Sequence, residues 1–454
     1  MLKSTIFREY DIRGVADIEF PDSGIALLGA AFGTFLQRHA GKKICLGRDT
    51  RLSSPRLRDA LMKGLLSSGC DVIDIGVQPT PLLYYSVFHL KADGGVMITG
   101  SHNPPEFNGF KVVCGSSTIH GERIQDLRRM IETGDLARGQ GRETAADVAT
   151  AYVEEVSSQF RFPRKLRVVV DSGNGTGGPV MHRILEKLNV EAVEMFFEMD
   201  GHFPNHHPDP TVPANLGALI AKVLETGADL GIAFDGDTDR IGVVDERGAV
   251  IYGDQLMILY AREILARKPG ATFIGEVKCS QSLYDDIAAR GGHPIMWKTG
   301  HSLIKAKMKE THAELAGEMS GHMFFADRYY GFDDALYAAC RLMEIVANSP
   351  QPLSSHLADL PRTVATPEIR FDCADELKFA VVRIATAELR ARHKISDVDG
   401  VRVLFDRGWG LLRASNTQPV LVMRFEAETE ELLREYREEV EEVVRRAVEN
   451  AKAG

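Results

Sequence analysis

Leu166-Arg-Val-Val-Val-Asp-Ser-Gly-Asn-Gly175 is a short apolar run closed by a carboxylate and a glycine-rich turn. Such a run reads as a buried strand entering a turn. The same arrangement stands upstream at Ile44-Cys-Leu-Gly-Arg-Asp-Thr-Arg51 and downstream at Ala271-Thr-Phe-Ile-Gly-Glu-Val-Lys278, a spacing of roughly a hundred residues. A helical segment follows each, over 54–66, 179–188 and 281–289. Second strands come next, at Asp71-Val-Ile-Asp-Ile-Gly76, Val190-Glu-Ala-Val-Glu-Met-Phe196 and Pro294-Ile-Met-Trp297. Another helix follows in each copy, then a third strand with a polar terminus. Those termini are Thr99-Gly-Ser-His-Asn103, Asp235-Gly-Asp-Thr-Asp239 and Gly317-Glu-Met-Ser-Gly-His322. Alternating strands and helices predict α/β domains, in which ligands gather beyond the carboxyl ends of the strands. All three polar motifs fall at equivalent ends.

The pattern breaks from about residue 362. Strands are expected at Gly400-Val-Arg-Val-Leu-Phe405 and Val420-Leu-Val-Met-Arg-Phe425, followed by an acidic amphipathic helix over 428–452. Leu433, Tyr436, Val440, Val443, Val444 and Ala447 share one face of that helix, a stripe that should dock on its own domain's sheet. A chain of 454 residues is too long for one core. The fold class expected is α/β: three related α/β domains with mixed sheets, over 1–147, 148–249 and 250–361, and a smaller C-terminal α+β domain over 362–454.

Hydrophobic and charged fractions of 44% and 26% are those of a soluble globular protein. A net charge of −10 leaves no basic excess for nucleic acid, though a cleft can still be locally positive for a small anion. The six cysteines, Cys45, Cys70, Cys114, Cys279, Cys340 and Cys373, have no CxxC spacing and read as reduced, buried thiols. No apolar stretch approaches a membrane span, and the N-terminus lacks a signal-peptide core, so a cytoplasmic location is expected.

Four motifs carry chemistry. In Val96-Met-Ile-Thr-Gly-Ser-His-Asn-Pro-Pro-Glu-Phe-Asn-Gly-Phe-Lys111 a stiff turn holds the Ser101 hydroxyl at a strand end, with His102 beside it and Lys111 close behind. Taken alone such a run is more often an ordinary surface turn. Asp235, Asp237 and Asp239 would repel one another without a cation, and an oxygen-only set suits Mg²⁺ or Ca²⁺. An EF-hand is disfavoured because Arg240 stands at the sixth position where glycine is needed. Mg²⁺ fits better, because it keeps part of its shell for substrate phosphate, which Arg240 could also reach. Glu318, Ser320 and His322 alternate along one side of an extended segment that could grip vicinal sugar hydroxyls, with Lys298-Thr-Gly-His301 and Lys278 completing the wall. Arg413-Ala-Ser-Asn-Thr-Gln-Pro419 is either a phosphate cradle or a polar hairpin turn. Near the N-terminus, Tyr10-Asp-Ile-Arg13 and Gly47-Arg-Asp-Thr-Arg51 add guanidinium groups that could face an anion. Gly173-Asn-Gly-Thr-Gly-Gly178 matches a dinucleotide fingerprint but reads as a structural turn, and the imidazole-rich stretch 202–207 as a connecting loop.

In order along the whole chain, Thr-Gly-Ser101-His-Asn-Pro, Asp235-Gly-Asp-Thr-Asp-Arg, Gly-Glu318-Met-Ser-Gly-His and Arg413-Ala-Ser-Asn-Thr resemble the α-D-phosphohexomutases, and among them the bacterial phosphomannomutase/phosphoglucomutase type. Tyr10-Asp-Ile-Arg-Gly, Lys298-Thr-Gly-His and Gly331-Phe-Asp-Asp belong to the same likeness. The resemblance implies a heart-shaped protein around a central cleft and reversible conversion of hexose 1-phosphate to hexose 6-phosphate through a hexose 1,6-bisphosphate. By it, Ser101 carries a phosphoryl group, and Asp235, Asp237 and Asp239 hold Mg²⁺ with a phosphoserine oxygen. Glu318 and Ser320 bind the sugar, with Tyr10, His102, Lys278 and His301 along the same substrate site. Arg413, Ser415, Asn416 and Thr417 hold the non-reacting phosphate. Arg240 joins the catalytic set, and His322, Arg13 and Lys111 are the implied proton-transfer candidates. Glucose 1,6-bisphosphate or mannose 1,6-bisphosphate is the implied activator, sugar phosphates the partners, and a monomer the expected state. Met319 and Asn416-Thr417 match the glucose/mannose dual type rather than the glucosamine type.

Overall fold

A computed structural model of the chain describes residues 2–416 and 418–453. Each of the first three domains is built on the same parallel trio. The central strands are Lys43–Arg48, Arg167–Asp171 and Thr272–Glu276. Each is flanked on one side by the second strand (Asp71–Val77, Glu191–Met195, His293–Trp297) and on the other by the third (Gly94–Ile98, Leu230–Phe234, Leu315–Gly317). The third strands are buried along their whole length, as expected of strands covered on both faces. A fourth strand then turns back antiparallel: Phe107–Cys114, Ile241–Asp245 and Met323–Phe325. The sheets are therefore mixed, and each motif loop closes the hairpin between third and fourth strands.

Helices Ser54–Ser67, Gly178–Lys187 and Gln281–Ala289 follow the first strands within a residue or so of expectation. The first sheet gains Ile12–Val15 against Phe107–Cys114, which brings the Tyr10–Arg13 segment to the edge of the Ser101 loop. Helices Thr80–His89, Ala149–Ser158, Gly253–Arg267 and Ala335–Ala347 all feed one continuous hydrophobic core shared by the first three domains. All six cysteines are buried and free. Among the described residues no helix is long and apolar enough to cross a membrane.

The last domain is an antiparallel sheet centred on Val401–Phe405, Gly408–Ala414 and Val420–Ala427. Two helices cover it, Asp375–Arg390 and Glu430–Ala453, and it has its own core. The stripe docks as expected, with Val440 and Val443 fully buried. Its joint to the third domain is a buried cation. Arg402 stacks 3.7 Å over Trp409 and donates to the Val277 and Cys279 carbonyls at 2.7 Å each.

Val440→Ala should destabilise the last domain by about 2 kcal/mol. Urea unfolding followed by Trp409 fluorescence in a Trp297→Phe background reads it; an unmoved midpoint would mean that the stripe is not packed.

Candidate active site

The Ser101 loop is held from below. Ser101 is buried with φ +49°, a left-handed conformation uncommon for a side-chain-bearing residue. Its N–H donates to Thr99 Oγ1 at 2.8 Å. Arg51 donates to the carbonyls of Ser101 (2.8 Å), Asn103 (2.5 Å), Phe107 (3.0 Å) and Pro104. Asp49 fixes that guanidinium at 3.1 Å and also receives the Gly100 N–H at 2.9 Å. The expectation that Arg51 could face an anion is therefore corrected: its side chain is fully buried and its donors are spent on the loop.

The hydroxyl meets the carboxylates directly. Ser101 Oγ donates to Asp235 Oδ2 at 2.8 Å and lies 3.1 Å from His102 Nδ1. Asp235 Oδ1 receives the Asp239 and Arg240 N–H groups at 3.1 Å each, which curls the loop so that all three carboxylates converge. Lys111 reaches across from the first domain to Asp237 Oδ2 at 2.7 Å and to Asp239 Oδ2. Thr80, at the start of helix Thr80–His89, donates to Asp237 Oδ2 at 2.5 Å. The glycine-rich turn at 173–178 packs under this loop: a Cβ on Gly175 would lie 2.6 Å from the Gly236 carbonyl, and one on Gly236 would lie 2.6 Å from that of Ser101. Its glycines serve close backbone packing, as read from the sequence. In the loop 202–207, His206 lies 2.9 Å from Asp171, which anchors the connection to the same turn.

Asp235, Asp237 and Asp239 have no exposed surface. Burial, then the Asp239 and Asp237 charges, push Asp235 well above the usual carboxylate range. Burial would raise Asp237 too, but the Lys111 ammonium and Thr80 hydroxyl hold it below that range. The same carboxylates outweigh burial at Lys111 and push its ammonium well up. Among the described residues, Asp237 Oδ1 and Asp239 Oδ1 are buried without a hydrogen-bond partner. The centre is thus short of positive charge and presents unspent oxygens, which fits a hard divalent cation.

Arg240 Nε donates to His322 Nε2 at 2.9 Å, and the two backbones form a bridge that joins the second and third domains. Burial, then the Arg240 and Arg13 charges, keep His102 neutral by holding it well below the usual histidine range. Arg13 itself pairs with Asp11 at 2.5 Å and is about a quarter exposed, with side-chain exposure of 27%. His301 stacks on His322 with ring centroids 5.8 Å apart. Glu318 receives the Gly300 N–H at 2.7 Å, and its Oε2 lies 4.0 Å from His322 Nε2. Ser320 sits half-buried beside it.

The far wall is continuous with this one. Tyr10 Oη donates to the Thr299 carbonyl at 2.9 Å and receives Asn416 Nδ2 at 2.6 Å, linking three domains through one phenol. Arg413 Nε donates to Asp399 at 3.0 Å, and Asp399 also takes the Thr299 N–H at 3.1 Å. Ser415 Oγ receives the Gln418 N–H at 3.1 Å. Thr417 lies outside the described residues. Lys278 pairs with Glu276 and Glu368 at 3.4 Å each.

Sequence reasoning missed several residues that hold this geometry. Glu276 is fully buried and receives the Met319 N–H at 3.1 Å and the Thr299 hydroxyl. Asp399, Thr80 and Asp49 play similar parts. Glu276 and Asp49 stand at the carboxyl ends of first strands, a position that could have marked them.

Models of the phosphoglucomutase/phosphomannomutase α/β/α domains I, II and III match residues 4–138, 150–248 and 252–364, and that of the C-terminal domain matches 368–443. The chain belongs to the phosphoglucomutase/phosphomannomutase family. It is 47% identical over 430 residues to a phosphomannomutase/phosphoglucomutase of Pseudomonas putida, covering 94% of this chain and 93% of that one. A phosphoglucomutase of Neisseria gonorrhoeae is 44% identical over 430 residues, again with 94% and 93% covered. The crystal structure of a phosphoglucomutase/phosphomannomutase family protein from Burkholderia thailandensis superposes with a TM-score of 0.91 at 43% identity, covering 100% of this chain and 99% of that one.

Arg51→Met should strand the loop carbonyls it now satisfies, at a cost of about 3 kcal/mol. Hydrogen exchange should then accelerate selectively in residues 100–107; uniform protection as in the unaltered protein would show that Arg51 does not hold the loop.

Proposed function

We propose that this chain interconverts hexose 1-phosphate and hexose 6-phosphate, of the mannose and glucose series, by way of a phosphoserine at Ser101 and a hexose 1,6-bisphosphate. One observation carries the reading. Ser101 Oγ stands 2.8 Å from Asp235 in a buried, cation-hungry centre, while a second anion position at Arg413 lies in another domain, which the Asn416–Tyr10 hydrogen bond joins to the domain of Ser101. One nucleophile with a separate phosphate cradle is the arrangement that a mutase needs and a simple phosphatase does not.

Asp235, Asp237 and Asp239 would hold Mg²⁺, which when bound supplies charge neutralisation at the phosphoryl group. The chain's own residues do the rest. Lys111 and Arg240 offset charge on the phosphoryl oxygens, and phosphoryl transfer depends mainly on such neutralisation and alignment. Glu318 and Ser320 bind sugar hydroxyls, with Lys278 and His301 along the same wall. Arg413, Ser415, Asn416 and Thr417 hold the distal phosphate. In the first transfer the P–O bond to Ser101 Oγ breaks as a P–O bond to the free sugar hydroxyl forms, and that hydroxyl's proton passes to a base. His322 is the best placed, since its Nε2 is a lone-pair acceptor, here of the Arg240 N–H, on the side of Glu318, whereas Arg13 and Lys111 are cations paired with carboxylates. The bisphosphate then turns end for end, and its other phosphate returns to Ser101. Glucose 1,6-bisphosphate or mannose 1,6-bisphosphate would act as the activator that re-phosphorylates a dephosphorylated serine, and the enzyme would work as a monomer.

Ser101→Ala should lower turnover of glucose 1-phosphate to below about a thousandth of the unaltered rate. Calorimetry should find sugar-phosphate binding within a few-fold of the original. Full activity in that variant would remove the proposed nucleophile, and release of free glucose by the unaltered enzyme would favour a phosphatase.

A further inference from the structure

We propose that Asp333, backed by Lys305, is a positioning residue that fixes which ring nitrogen of His322 carries the proton; the proposal rests on the mutase reading above. Arg240 Nε donates to His322 Nε2 at 2.9 Å, so Nε2 is an acceptor and the ring proton belongs on Nδ1. Nδ1 lies 3.3 Å from Asp333 Oδ2 and 3.6 Å from Asp239 Oδ1. None of these three buried atoms has a hydrogen-bond partner elsewhere among the described residues.

Of the two carboxylates, Asp333 is the one free to serve. Asp239 is held by Lys111 through its other oxygen and belongs to the oxygen set that fits a cation. Asp333 has no exposed surface, and its Oδ1 is neutralised by Lys305 Nζ at 2.9 Å, which leaves Oδ2 for the imidazole. Lys305 lies one turn beyond His301 on helix His301–Thr311, and its ammonium sits 4.2 Å over the Tyr84 ring. The backbone of Asp333 bridges to Phe324, two residues past His322. The carboxylate is therefore fixed to the strand Met323–Phe325, which begins directly after the histidine.

Holding the proton on Nδ1 keeps the Nε2 lone pair toward Arg240 and Glu318, on the sugar-facing side. During transfer the attacking sugar O–H bond breaks and its proton goes to Nε2, as the P–O bond to Ser101 breaks and the P–O bond to the sugar forms. Arg240 leaves Nε2 as it takes up a phosphate oxygen. Asp333 accepts no proton; it holds the Nδ1–H throughout.

Asp333→Asn keeps the shape but can offer an N–H to Nδ1, which favours the opposite tautomer. It should lower kcat about 100-fold or more with KM for glucose 1-phosphate within about threefold. Ring ¹⁵N spectra, with His322 assigned by its loss in His322→Gln, should shift from the Nδ1–H to the Nε2–H pattern. Asp333→Glu should recover part of kcat. A kcat within threefold of the original, or an Nε2–H pattern in the unaltered protein, overturns the proposal. If Asp333→Asn does not fold, Asp333→Ala takes its place, and a kcat within threefold of the original in that variant overturns the proposal. Absence of mutase turnover in that protein would instead overturn the functional reading, and the spectra would still settle the Asp333–His322 relation.

Discussion

Three carboxylates forced onto one buried loop repel one another, and the arrangement of the chain around that loop answers the repulsion. Asp235, Asp237 and Asp239 have no exposed surface, so water cannot screen them. The first domain supplies Lys111, the Thr80 hydroxyl at a helix start and the Ser101 hydroxyl. The third domain brings His322 alongside, bridged to Arg240. Even so, two carboxylate oxygens have no hydrogen-bond partner among the described residues, and Asp235 is pushed toward its neutral form. The missing positive charge is what makes the centre receptive to a cation, and a phosphate on Ser101 would in turn be gripped by that cation.

The repeat explains how these parts meet. One hairpin loop, between third and fourth strands, occurs three times, and it carries Ser101, the Asp235–Asp239 carboxylates and the Glu318–His322 segment at equivalent backbone positions. The shared core keeps the three loops in fixed relation. The last domain has a separate core and reaches the others through polar links such as Tyr10 with Asn416, Asp399 with Thr299, and Arg402 with the Val277 and Cys279 carbonyls. The carboxylate loop and the Arg413 loop are thus built on different cores.

Most of this was legible because strong apolar runs such as Val168-Val-Val170 sit directly before the polar motifs, so the strand ends announce themselves. What escaped depended on contacts distant in sequence. Arg51 looked like an anion ligand, but its partners are carbonyls some fifty residues later, and nothing near it says so. Asp333 and Glu276 act on backbone and ring atoms whose places follow only from the folded sheets. The helix Asp375–Arg390 buries Val381, Val382, Ala385 and Leu389 at helical spacing, a signal diluted by the charges around it. Thr417, the last of the expected phosphate ligands, lies outside the described residues.

The central claim is that the phosphate arriving at the product is not the one that left the substrate. A single turnover of phosphorylated enzyme with glucose 1-[³²P]phosphate tests it most directly. The account predicts unlabelled glucose 6-phosphate and label on Ser101. Label retained on the sugar, or appearing as inorganic phosphate, would contradict it.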